Sequence, residues 1–185
     1  MDLAAAFEAG QDYQSFLQQY ATPEQLSRWQ ATFDAVRLSD SQRQVLSSMS
    51  RQVNALCFAG AWCGDCIEQC PIFEHFCQAT SCLSIRYIDR DANEEWRDHF
   101  RICGAPRGPQ LIDMNEDFEF LGWGGDRTLS KYRRMASTQI GAACPVGLSV
   151  ESELLNSVTQ DWLDEFERIH WIVRLSPRLR AKHGD

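Results

Sequence analysis

The feature that most constrains this chain is the run Gly60-Ala61-Trp62-Cys63-Gly64-Asp65-Cys66, in which two cysteines stand two residues apart. That spacing closes a small disulfide ring, and it equally supplies half of a zinc site. The flanks favour the first. A nearly continuous apolar run, Val53 to Phe58, leads in, as expected of a strand buried on both faces. An amphipathic stretch, Gly64 to about Ala79, leads out and reads as a helix with Ile67, Phe73 and Phe76 inward. Cys63 then stands at a helix start, where outward-pointing backbone N–H groups and the helix dipole stabilise a thiolate. Cys66, one turn deeper, is placed to resolve a mixed disulfide formed at Cys63.

The rest of the chain arranges itself around that unit. Residues 1–50 read as a helical extension that packs on the core. Tyr13, Phe16, Leu17 and Tyr20 share one face; Thr22-Pro23 opens a second helix; Ser39 or Asp40 caps a third. Residues 51–140 read as the central domain. After the cysteine helix, Leu83, Ile85 and Tyr87 alternate as a strand, and Asp91 with Glu94 forms a capping-box pattern before a short helix. Pro109–Met114 and Phe118–Gly122 read as a hairpin, and Thr128 caps a helix. Residues 141–185 read as a loop from Gly141 to Val150, a long helix from about Glu151 to Leu175 and a solvated basic tail of Arg178, Arg180, Lys182 and His183. Strand–helix–strand, a helix, then hairpin and helix make an α/β fold with a mixed central sheet covered on both faces.

Trp62-Cys63-Gly64-Asp65-Cys66, with Pro71 inside the following helix, resembles the active-site motif of the thioredoxin family. The resemblance covers about Arg51 to Ile140. Gly125 to Arg133 and Arg174 to Arg180 are in addition similar to a bacterial subgroup of thioredoxin-like proteins with N- and C-terminal helical extensions. The resemblance implies the thioredoxin fold and a protein-disulfide oxidoreductase with Cys63 as nucleophile and Cys66 as resolving thiol. It implies an apolar contact surface at Trp62. It also implies a cis-proline loop facing the disulfide, assigned to Pro109, which lies 43 residues after Cys66 in Arg107-Gly108-Pro109-Gln110-Leu111. Pro106 competes for that role. Gly108 would then offer backbone hydrogen bonds to an extended substrate. Disulfide-containing proteins are the implied substrates, and a reductase or a low-molecular-weight thiol the implied recycling partner. No cofactor is called for.

Two departures from the family pattern bear on mechanism. Asp65 replaces the proline common between the cysteines. A carboxylate there disfavours a thiolate and moves the couple to the reducing side, unless it points into water or serves to select partners by charge. Cys57, six residues before Cys63, stands where the family often carries a buried aspartate. Deprotonation of Cys66 then needs another base or water, with Asp65 a poor candidate. Cys70 is i+4 from Cys66 on the same helix face, and is either core packing or a third thiol in a relay. Cys77, Cys82, Cys103 and Cys144 have no motif context.

A net charge of −8 argues against general nucleic-acid binding and against anionic membrane surfaces. No segment has the roughly 18 apolar residues of a membrane span, and the N-terminus lacks a signal-peptide pattern, so a cytoplasmic protein is expected. Eight cysteines in that compartment are more often reduced or catalytic than a structural framework. Two other readings remain. A metal site could use Cys63, Cys66 and Cys70, although no second C-x-x-C completes it. Alternatively, the fold is a redox-inactive platform whose terminal helices bind a partner.

Overall fold

The computed structural model describes residues 2–140 and 154–185. The expected loop at Gly141–Val150, with Cys144, lies outside the described residues. Four strands form one sheet in the order β2-β1-β3-β4, with β1 at Val53–Ala59, β2 at Leu83–Asp89, β3 at Gln110–Asn115 and β4 at Phe120–Gly125. β1 pairs with β2 in parallel and with β3 antiparallel; β3 and β4 form an antiparallel hairpin. The parallel crossover is α5, Gly64–Ala79, which carries the cysteine pair and holds Pro71 without interruption.

Strand alternation explains why β1 is apolar throughout. Val53, Ala55, Cys57 and Ala59 enter the larger core, while Leu56 and Phe58 enter a smaller one on the opposite face. The larger core packs against α5, against α2 (Tyr13–Tyr20), α3 (Pro23–Ala35) and α4 (Asp40–Ser48), and against α8 (Leu154–Leu175). The smaller core receives Leu3 and Phe7 of α1 (Leu3–Ala9) and Trp96 of α6 (Glu94–His99). α7 spans Leu129–Gln139 and α9 Pro177–His183. This is the thioredoxin fold with helical extensions.

The N-terminal segment does more than cover a face. Gln11 exchanges backbone hydrogen bonds with Tyr87 (2.9 and 2.7 Å), which covers part of the open edge of β2. Trp29 of α3 is fully buried and donates its indole N–H to the Ala61 carbonyl at 2.8 Å, immediately before the cysteine pair.

Three local expectations are corrected. The hairpin is shifted by one to three residues, to Gln110–Asn115 and Phe120–Gly125, because Asn115 makes the turn through its own side chain, accepting from the N–H groups of Asp117 and Glu119. Asp91 caps nothing: Asn93 stands at the start of α6 without a side-chain cap, and Asp91 is occupied by Trp62 instead. The basic tail is a helix, since Ser176 caps it and Pro177 takes its first position. Its Arg178, Lys182 and His183 meet Glu116, Asp117 and Glu119 in the β3–β4 turn region.

Candidate active site

Cys63 is the N-cap residue of α5, in extended backbone conformation, with its N–H bonded to the Gly60 carbonyl at 3.0 Å. Cys63 is 8 % exposed, whereas Cys66 is fully buried, so attack on a partner falls to Cys63. The described cysteines are free thiols. Across from the pair, the Gly108–Pro109 peptide bond is cis, and Cys63 Sγ lies 3.7 Å from the Gly108 carbonyl. A Cβ on Gly108 would stand 3.5 Å from Cys66 Sγ and 3.3 Å from the Phe58 carbonyl, so this loop lies directly against the sulfurs. Gly125 closes the loop from behind. At φ 125° it approaches Pro109 so closely that a Cβ would sit 2.4 Å from the Pro109 carbonyl oxygen. A Cβ at Gly64 would meet nothing within 4 Å, which leaves the helix start open. Pro106 has no cis bond.

Trp62 is half exposed and donates its indole N–H to Asp91 at 3.0 Å. The Arg90 guanidinium stacks 4.6 Å above its ring and donates to the Pro106 carbonyl at 2.7 Å. Arg90 is only 8 % exposed, and it ties Trp62 to the cis-proline loop. Sequence reasoning passed over it. The available signal was a charged residue directly after β2, at the carboxyl end of a parallel strand, where α/β proteins build their sites.

Asp65 does not point into free solvent. Arg127 grips it through Nε and Nη2 at 3.0 and 2.6 Å, and Lys131 Nζ lies 2.7 Å away and also reaches Glu68. Burial pulls the Asp65 carboxyl up, but Arg127 and Lys131 outweigh it and hold the group below its ordinary value. The Asp65 charge still pushes the Cys63 thiol up, as expected, but it is held in an ion-paired cluster with two cations. Behind it lies Asp126, whose nearly inaccessible side chain meets Arg107, Arg127 and the Tyr132 hydroxyl. Gln69 of α5 joins this cluster to α8, donating to the Asp126 carbonyl at 2.9 Å and accepting from Trp162 at 3.0 Å.

The two sulfurs are linked by a shared hydrogen bond. The hydrogen bond with Cys66, then burial, pushes the Cys63 thiol up. Burial also opposes ionisation of Cys66, yet hydrogen bonds from Cys63 and Cys70, together with the Arg90 charge, bring that sulfur down. The first ionisation thus belongs to the pair, with Cys66 the sulfur its surroundings favour for it. This differs from the expectation of a low thiol at Cys63, because the hydrogen bond to Cys66 and burial outweigh the helix-start N–H of Cys66. Transfer of the shared proton to Cys66 exposes a thiolate at Cys63, so the resolving cysteine can act as the base for the attacking one.

Fold and site together define a thioredoxin-fold protein with a cysteine pair opposite a cis-proline loop. The family model described as Thioredoxin matches residues 10–129, more than half of the chain. The chain belongs to the thioredoxin family. Among solved structures, it is similar to a protein of unknown function from Pseudomonas aeruginosa, with 15% identity and a TM-score of 0.70 over 91% of this chain and 96% of that one. It is likewise similar to an HIV epitope-scaffold, with 16% identity and a TM-score of 0.68 over 91% and 97%. At such identities the likeness extends to the fold alone. No curated protein matches the chain. Among the described residues, no group of three or more His, Cys, Asp or Glu is arranged to hold a metal ion. Among them, too, no helix is long and apolar enough to cross a membrane.

Proposed function

We propose that this chain is a thiol–disulfide oxidoreductase that reduces disulfides in protein substrates. The observation that carries the reading is the placement of Cys63: at the start of α5, partly accessible, 3.7 Å from the carbonyl before a cis-proline. An extended substrate segment lies along Gly108 and against Trp62. Cys63 attacks the substrate disulfide, the substrate leaves one thiol behind, and Cys66 resolves the mixed disulfide by attacking Cys63 Sγ. The Cys63–Cys66 disulfide is then reduced by a reductase or a low-molecular-weight thiol. A reducing compartment such as the bacterial cytoplasm suits this direction of electron flow.

The test equilibrates the protein in glutathione buffers of graded potential and reads the Cys63–Cys66 state by peptide mass spectrometry. Reversible closure is expected, together with loss of disulfide-reducing activity in Cys63→Ser. Activity that survives Cys63→Ser defeats the reading.

A further inference from the structure

The core beneath the active site holds two more thiols than exchange at the surface needs. Cys57 on β1 and Cys70 on α5 are both fully buried, with their sulfurs 4.0 Å apart. Cys70 follows Cys66 by one helical turn on the same buried face of α5. Four thiols therefore step inward from the partly accessible Cys63 through Cys66 and Cys70 to Cys57. Of the other described cysteines, Cys77 lies two turns further along α5, Cys82 donates to the Met49 carbonyl, and Cys103 is exposed.

We propose that Cys57 and Cys70 are a second, internal redox pair that passes its electrons outward to a Cys63–Cys66 disulfide. The proposal rests on the oxidoreductase reading above. In the first step Cys70 loses its proton and attacks Cys66 Sγ. The Cys66–Cys70 bond forms, the Cys63–Cys66 bond breaks, and Cys63 leaves as a thiolate that is then protonated. In the second step Cys57 loses its proton and attacks Cys70 Sγ. The Cys57–Cys70 bond forms, the Cys66–Cys70 bond breaks, and Cys66 is released and protonated. The inner pair gives up two electrons and two protons, and the outer disulfide takes up both. The only oxidant is the substrate disulfide that closed the outer pair.

The environment favours this direction. Burial pushes both Cys57 and Cys70 up, so no thiolate stabilises the reduced inner pair, whereas the outer pair holds a stabilised sulfur at Cys66. A couple without thiolate stabilisation is the stronger reductant. A proton acceptor lies close by. Asp113 on β3 shares the face of Cys57 and is its diagonal neighbour, since Cys57 pairs with Leu111 and Ala55 with Asp113. Its side chain is 2 % exposed, and Oδ1 has no hydrogen-bond partner. Burial raises its carboxyl to about 7, where it takes up and releases a proton near neutral pH.

The experiment titrates the reduced full-length chain with oxidised glutathione, quenches in acid, alkylates and maps the disulfides. Cleavage after aromatic and acidic residues separates all four thiols, at Phe58, Trp62, Asp65 and Glu68. Cys63–Cys66 should close first and pass its disulfide to Cys57–Cys70, the second closure, at one equivalent of oxidant, and a second equivalent should then close Cys63–Cys66 again. In Cys63→Ser, closure of the inner pair should slow at least ~10-fold, because buried thiols meet an oxidant only through the surface one. Cys57→Ala should keep the first closure and lose the second. If Cys63–Cys66 closes reversibly while Cys57 and Cys70 stay reduced, the inner relay is overturned and the oxidoreductase reading stands. Inner closure at an unchanged rate in Cys63→Ser overturns the relay too. If Cys63–Cys66 never closes, both fall.

Discussion

Single side chains decide the chemistry at two buried positions. Arg90 brings a positive charge to the sulfur pair, and that charge is one reason Cys66 ionises more readily than burial alone allows. Arg90→Met should move the pair's first ionisation upward, read by thiolate absorbance against pH. The rate of disulfide reduction at pH 7 should fall roughly 3–10-fold, because less thiolate is present. Arg90→Lys keeps the charge and should restore part of the rate; equal losses in both variants would mean that Arg90 matters only for packing. Asp113 is the second position. Its carboxyl stands at about 7 in the folded chain, pushed there by burial, against 3.8 for the ordinary group. The folded state therefore binds the proton more tightly than the unfolded one, so stability falls as pH rises from about 4 to about 7 and levels off above. The full difference corresponds to about 4 kcal/mol at most. Asp113→Asn should flatten that slope in urea unfolding between pH 4 and 8, and should be the more stable protein at pH 8. An unchanged slope would remove Asp113 as its source.

At the scale of elements, the cysteine helix is held from three sides. α3 supplies Trp29 to the Ala61 carbonyl, the start of α7 supplies Lys131 to Asp65, and Gln69 links α5 to α8. Trp29→Phe keeps an aromatic ring in the core but leaves the buried Ala61 carbonyl without its donor. A cost of about 1–3 kcal/mol is expected in chemical denaturation, with a lower kcat for disulfide reduction because the loop before Cys63 is less firmly placed. A stability loss with unchanged kcat would show that the loop needs no such anchor. These ties also mark what could be read from the sequence. Periodicity and capping residues located α2 to α5, β1 and β2, because each carries its own apolar stripe or start signal. The cysteine pair and Pro109 were legible because their spacing is local or tied to a strand start. Arg90, Asp113 and Asp126 were not, because their roles depend on which distant side chains the sheet brings beside them. Asp65 was misread for the same reason: its two cations lie more than sixty residues away. The tail's partners are equally remote, and nothing in Arg178 to His183 announces the acidic turn that it meets.

The larger core runs from Tyr13 to Leu179, so the helices α2 to α4, α8 and α9 share their packing with the redox unit. α8 makes this concrete. Trp162 and Phe166 meet Phe73 edge-on at 4.9 and 5.9 Å, and Phe166 meets Phe76 in the same manner at 5.9 Å. Phe73 and Phe76 belong to the helix that begins at Cys63, so the C-terminal helix and the redox helix share one aromatic junction. Truncation of Phe166 removes a large side chain that is 2 % exposed and leaves a cavity at that junction. Phe166→Ala should therefore cost about 3–5 kcal/mol. If the extension and the redox unit are one cooperative body, the loss should appear as a shift of a single urea transition. Far-UV circular dichroism, tryptophan fluorescence and the alkylation rate of Cys66 should then all report the same midpoint. Two transitions, with Cys66 protected through the first, would instead make α8 a separable clasp on an independently stable redox domain.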